Sequence, residues 1–202
     1  MERGRYIAFE GAEGCGKSTH AARLAAELGA VLTRETGGTA IGARIRAILH
    51  DTDVTDLTDR AEALLTAADR AQHLDEVVRP ALAAGRHVVS DRSVHSTLAY
   101  QGHGRGLDVD DLRRINAWAI ADTWPELVLF LDVDPAVQTA RMRHRELDRF
   151  ERESEAFHVR VRDGFATMAA ADPAHWVTVD ANGTLDDVST AVRRAVHDRL
   201  GI

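Results

Sequence analysis

The sequence predicts an α/β fold of three layers, a five-stranded parallel sheet with helices on both faces. Short β-rich runs alternate with amphipathic helical stretches along the 202 residues, the order of a sheet joined by crossover helices. One run, Leu127-Val-Leu-Phe-Leu131, is apolar throughout, as befits a strand covered on both faces. Between the first strand and the first helix lies Gly11-Ala12-Glu13-Gly14-Cys15-Gly16-Lys17-Ser18-Thr19, which fits G-x-x-x-x-G-K-[ST] in the strand–turn–helix context that a phosphate-cradling loop requires.

The elements follow in order. Strand Tyr6–Glu10 leads through the glycine-rich loop to a helix over Ser18–Leu28, with Ala21, Leu24, Ala25 and Leu28 on one face. Gly29 ends it, and Val31–Arg34 is the second strand. The turn Glu35–Thr39 opens a helix carrying Ile41, Ile45, Ile48 and Leu49. A long helical stretch from Asp59 to Ala84 is expected to kink or divide at Pro80. His87–Ser90 is the third strand, ending at Asp91. A helix from Val94 gives way to a glycine-rich bend, Gly102–Gly106, and another helix spans Asp110–Asp122. The apolar strand 127–131 precedes a helix starting at Pro135 and an arginine-rich segment, Arg141–Arg152. A further helix reaches Ala171, Trp176–Val179 is the last strand, and Thr184–Leu200 the last helix. No repeat or linker marks a second unit, so residues 1–202 read as one domain. Glu10, Arg34, Asp91, Asp132 and Asp180 fall at or just past strand ends, where an open parallel sheet binds its ligands.

Composition narrows the partners. A net charge of −7 argues against a broad nucleic-acid footprint, though a few arginines can still reverse the field inside a cleft. No window approaches a membrane span, and the single Cys15 suits a reducing compartment, so a cytoplasmic protein is expected. His73, His95 and His103 have no zinc-like spacing.

Phosphoryl chemistry needs a clamp on the donor, a metal, and cations for the moving charge. The loop Gly11–Thr19 supplies the first: successive N–H groups face phosphate oxygens, and Lys17 adds its charge. Mg²⁺ would sit on the Ser18 hydroxyl and a strand-end aspartate, Asp91 or Asp132. Asp91 is preferred because Arg92, Ser96, Thr97, Tyr100 and Gln101 follow it, whereas Asp132 is expected to cap the helix near Pro135. Arg34, Arg46, Arg70 and Arg92 are candidate anion ligands, and Arg44 a solvated neighbour. Arg141, Arg143, Arg145, Arg149 and Arg152, over about residues 141–152, read as a mobile lid.

Taken together, these stretches resemble the thymidylate kinases over nearly the whole chain. Phe9–Thr19 is similar to that family's phosphate loop, Thr33-Arg-Glu-Thr-Gly-Gly-Thr39 to its T-R-E-P-G-G-T turn, and Ala61–His73 to its A-E-x-L-x-F-x-A-x-R helix. Asp91–Gly102 resembles D-R-x-x-x-S-x-x-A-Y-Q-G, the most specific stretch, and Gly104-Arg-Gly106 and Leu131–Pro135 follow in place. The resemblance implies the P-loop kinase fold, transfer of the ATP γ-phosphoryl group to dTMP with Mg²⁺, and a homodimer. It implies that Lys17, Asp91, Arg92, Arg143 and Arg149 are catalytic, and that ATP lies on Gly11, Ala12, Glu13, Gly14, Cys15, Gly16, Lys17, Ser18 and Thr19 with adenine near Ala181 and Asn182. For dTMP it implies Glu13 near the sugar, Arg34, Arg46 and Arg92 around the phosphate, and Arg70 on a thymine carbonyl. Thr66, Ser96, Thr97 and Gln101 would line the pyrimidine site, with Tyr100 near the 2′ position. Three residues depart from the pattern: Thr66 stands for a stacking phenylalanine, Thr36 for a proline, and Ser93 for an aromatic or histidine. Thr66 motivates another or modified deoxypyrimidine monophosphate as an alternative acceptor. A nucleotide-dependent switch on the same loop is the remaining alternative.

Overall fold

The computed structural model describes residues 3–143 and 146–202, so the expected lid residue Arg145 lies outside the described residues. Five strands, β1 (Tyr6–Glu10), β2 (Val31–Arg34), β3 (Val88–Asp91), β4 (Leu127–Asp132) and β5 (Trp176–Asp180), form one sheet in the order β2-β3-β1-β4-β5. Every pairing is parallel. β1 is buried along its full length and β4 up to its last residue, whereas edge strand β2 alternates half-buried and exposed residues. The sequence therefore places all five strands within a residue of their ends.

Side-chain alternation divides β4 between two cores. Leu127, Leu129 and Leu131 pack with Leu24 and Ala25 of α1 (Lys17–Leu28) and Val188 and Val192 of the C-terminal helix Leu185–Leu200. Val128 and Phe130 face the other way, onto Phe157, Val161 and Phe165 of the helix Glu155–Ala171. Phe130 stacks on Phe165 with ring centroids 5.7 Å apart. Helices thus cover both faces, and all strand carboxyl ends open on one side of the sheet.

Two helical stretches contain π-helical turns. α2 (Ala40–His50) precedes α3 (Asp59–His73), the start of the long helical stretch that is divided ahead of Pro80, as expected. It passes through a π-helical turn, Leu74–Val78, into α4 (Arg79–Ala83), and Arg79 N–H reaches back to Leu74 O. The wider turn lets the chain continue into a first helical turn where the missing proline N–H is tolerated. Likewise α5 (Val94–Thr97) continues as a π-helical segment, Leu98–Gly104, instead of bending at Gly102. Gly104 is required there by packing: a Cβ would stand 2.6 Å from the Phe157 ring. The remaining helices are α6 (Val109–Ile120), α7 (Pro135–Met142), α8 (Glu155–Ala171) and α9 (Leu185–Leu200).

Candidate active site

The carboxyl ends of β1, β2 and β3 open into a cleft of about 390 Å³. The loop after β1 forms one wall. Gly11 lies at φ 143°, and a Cβ there would meet Leu131 O at 2.7 Å, so only glycine lets the loop turn beside β4. Gly16, at φ 96°, delivers the chain into α1 with the helix N-terminus facing the cleft. Lys17 is 5% exposed, its Nζ donating to Ala12 O at 2.7 Å and lying 3.6 Å from Cys15 Sγ. Cys15 is buried in the core, which explains a thiol at a position whose backbone serves the loop.

Ser18 Oγ donates to Asp91 Oδ2 at 2.5 Å, joining the loop to the end of β3. The other oxygen, Asp91 Oδ1, is buried without a hydrogen-bond partner. Asp132 is placed differently from expectation. It does not cap α7, whose N-cap is Asp134, but pairs with Arg162 of α8 at 3.0 Å. One hydroxyl and one partly unsatisfied carboxylate suit Mg²⁺, which takes few protein ligands and keeps waters and phosphate oxygens. Among the described residues no group of three His, Cys, Asp or Glu side chains forms a denser metal site.

Across from the loop, Arg92 adopts φ 75° and is held by Glu13, Ser96 Oγ (3.1 Å), Tyr100 Oη (3.0 Å) and Gly11 O (3.3 Å). Burial alone would raise the Glu13 pKa, but Arg92 and Lys17 outweigh it and hold the carboxyl at about 2. Glu10, at the end of β1, is wholly buried and accepts from Ser93 N, Ser93 Oγ, Ser96 N and Ser96 Oγ. Ser96 therefore lines the cleft with its proton already committed. Burial leads the lowering of the Arg46 pKa, with the charges of Arg34 and Arg92 adding to it. Three guanidinium groups in one another's field make a place for a multiply charged anion. Arg34 and Arg46 both line the cleft, and Arg44 is exposed as expected.

Deeper in, Arg70 is 2% exposed and largely spoken for. Its Nε donates to Glu35 Oε2 (2.8 Å), its Nη1 to Asn116 Oδ1, and its Nη2 to Ser93 O (3.2 Å). Thr66, Thr97, Tyr100 and Gln101 line the same end of the cleft beside Leu49 and Phe150.

The expected lid arginines are placed otherwise. Arg149 binds Glu62 Oε2 at 2.5 Å and Leu49 O at 2.8 Å, with its guanidinium 4.7 Å over the Phe150 ring. Asp148 holds His50 at 2.7 Å beside it, so this segment is docked on the end of α2. Arg143 is exposed at the end of α7, and neither it nor Arg149 is among the side chains lining the cleft. Among the described arginines of this run, Arg141 reaches in, donating to Gly14 O (3.5 Å) and Ala181 O (3.0 Å). Ala181 and Asn182 lie outside the cleft lining; that arginine joins Ala181 to the loop, while Asn182 accepts from Asp134 N at 2.9 Å.

The family model described as thymidylate kinase matches residues 9–192. The chain belongs to the thymidylate kinase family. It is 46% identical over 206 residues to a thymidylate kinase of Oleidesulfovibrio alaskensis, spanning 96% of this chain and 97% of the relative. A thymidylate kinase of Bifidobacterium longum is 42% identical, covering 96% and 98%. The solved thymidylate kinase of Ehrlichia chaffeensis superposes with a TM-score of 0.80 at 28% identity, covering 96% of this chain and 99% of that one.

Membership gives the chemistry: a thymidylate kinase transfers the γ-phosphoryl group of ATP to dTMP, forming dTDP and ADP. It also brings forward residues that motif reading passed over. Glu10 orders Ser93 and Ser96, Glu35 orders Arg70, and Glu62 holds both Gln101 and Arg149. Phe150 lines the cleft together with Thr66. Glu10 left a sign in the sequence as a charged residue closing an apolar strand, and Glu35 and Glu62 stand within motif stretches, but the side chains those two hold are 35 to 87 residues away.

Proposed function

We propose that Gly11–Thr19 hold the triphosphate of ATP, that Ser18 and Asp91 hold Mg²⁺, and that Arg34, Arg46 and Arg92 hold the phosphate of dTMP. The observation carrying this reading is the contact of Ser18 with Asp91 beside an unpartnered, buried Asp91 Oδ1, facing the three arginines across one cleft. Held by Ser18 and Asp91, Mg²⁺ would supply positive charge that offsets the charge developing on the phosphates. Lys17 and the loop N–H groups draw negative charge toward the leaving group, while the three arginines orient the attacking phosphate oxygen. That oxygen is already anionic at neutral pH, so no side chain has to remove a proton. Glu13, kept ionised, steadies Arg92 and faces the sugar. Arg141 bridges the loop to Ala181, next to which the adenine lies with Asn182.

Chelating divalent cations is expected to abolish turnover, with Mg²⁺ restoring it. Asp91→Asn is expected to lower kcat about 100-fold and to raise the Mg²⁺ concentration needed for half-maximal rate. An unchanged Mg²⁺ requirement in that variant would remove Asp91 from the metal site.

We further propose that the protein works in the cytoplasm as a homodimer, without nucleic-acid or membrane partners. Among the described residues no helix is long and apolar enough to cross a membrane. Trp118 on α6 is 85% exposed and Leu64 on α3 56%, and these two helices pack side by side. An exposed tryptophan and an exposed leucine on two helices that pack together are the kind of apolar surface a second copy covers. Light scattering should give twice the chain mass, and Trp118→Glu should give the monomer; a monomeric wild type would discard this face.

A further inference from the structure

Three side chains at the inner end of the cleft can read a base, and two neighbours decide which way their hydrogen bonds run. An amide can turn either its NH2 or its oxygen toward a ligand. Gln101 Nε2 donates to Glu62 Oε1 at 2.7 Å. Burial would raise the pKa of Glu62, but hydrogen bonds from Arg105, Gln101 and Arg149 outweigh it and keep the carboxylate ionised. An ionised carboxylate only accepts, so the amide cannot flip, and Gln101 offers its carbonyl oxygen to the cleft it lines.

The same argument applies to Thr97. Thr66 Oγ1 donates to Ala63 O at 2.8 Å, and a carbonyl can only accept. The proton of Thr66 is thereby spent, so in its 3.3 Å contact with Thr97 Oγ1 it accepts. Thr97 gives its proton away and presents lone pairs to the cleft. Arg70 is a donor under all conditions, and three of its five N–H groups are used within the protein.

We propose that Glu62 and Thr66 are positioning residues for base choice. By fixing Gln101 and Thr97 as acceptors beside the donor Arg70, they select a pyrimidine edge with a ring N–H next to a carbonyl, and reject one with a bare ring nitrogen next to an amino group. The first is the edge of dTMP and the second that of dCMP. The proposal rests on the acceptor base lying at the Thr66–Gln101 end of the cleft. It gives the threonine that replaces the family's phenylalanine a task of its own, the polarity of Thr97.

The test is steady-state kinetics of Thr66→Val and Glu62→Gln on dTMP and dCMP. Valine keeps the shape of threonine and frees the Thr97 proton to turn toward the cleft; glutamine frees the Gln101 amide to flip. In each variant the dTMP-to-dCMP ratio of kcat/KM is expected to fall about three- to tenfold, the worth of one hydrogen bond, with the KM for ATP unchanged. Arg105 and Arg149 lose a charge partner in Glu62→Gln, so Thr66→Val decides if that variant does not fold. A raised KM for dTMP with the ratio intact overturns the proposal and leaves the base where it is placed. No change in either quantity overturns the placement and the proposal together.

Discussion

Replacing Lys17 by methionine is expected to lower kcat by about 1,000-fold or more while leaving the fold intact. The ammonium is the one charge carried by the phosphate loop itself between Gly11 and Thr19 besides Glu13, and its Nζ reaches Ala12 O on the loop's inner surface. Removing it takes away a cation whose worth rises as charge gathers on the bridging phosphate oxygen, so the loss falls on the transition state more than on ground-state ATP binding. A lysine in a glycine-rich loop would ordinarily face solvent and contribute little packing. Its 5% exposure says otherwise: the stem is packed, and methionine preserves that volume. Turnover measured with saturating ATP and dTMP, beside a thermal melt, checks both halves. A variant with near-normal kcat would take Lys17 out of the chemistry.

Arg70→Ala is expected to have the opposite balance, costing about 3–5 kcal/mol of stability as well as base recognition, because it strands a buried carboxylate. Glu35 is 4% exposed and leans on Arg70 at 2.8 Å and His73 at 3.0 Å. Burial pushes its pKa up, but these partners win and lower it. A carboxyl lowered in the folded state contributes stability above its unfolded pKa and loses it as pH falls through the folded one. The deficit of Arg70→Ala should therefore be greatest near neutral pH and shrink in acid, where protonating Glu35 relieves the variant. Urea titrations at several pH values measure this directly. A loss below about 1 kcal/mol at neutral pH would mean that water reaches Glu35 once the guanidinium is gone.

The inner strands β1, β3 and β4 were legible because a parallel sheet buries them on both faces, and an apolar run such as 127–131 satisfies that environment. The phosphate loop was legible for a related reason: the geometry demands glycine at fixed places. Helix continuity was harder to read. Pro80 and Gly102 carry strong local signals for a break, and the π-helical turns at 74–78 and 98–104 answer them with a change of pitch that composition does not announce. The acceptor side was legible as a set of residues and not as an arrangement. Arg34, Arg46, Arg70, Arg92, Thr97 and Gln101 all line the cleft, yet the carboxylates that hold Arg70, Arg92 and Gln101 lie far along the chain. Arg149 shows the limit of reading charge. A basic run suggests a loose lid, but Glu62 is buried on α3 and needs cations, so it holds that arginine at 2.5 Å.

The order β2-β3-β1-β4-β5 has a consequence for how the protein is made. Arg34 ends the outermost strand on one side, Asp91 the next, the phosphate loop leaves the centre, and Arg141 follows β4. Each joins the site only when its strand takes its place, and β3 must dock between two strands that precede it in the chain. A nascent chain released after β2 would carry the whole nucleotide-binding signature and still lack the edge that aligns it. Enzymatic turnover is in this sense a certificate of complete assembly. Recovered activity after dilution from denaturant is therefore expected to mark the docking of β3 between β1 and β2, which brings Asp91 and Arg34 to the site.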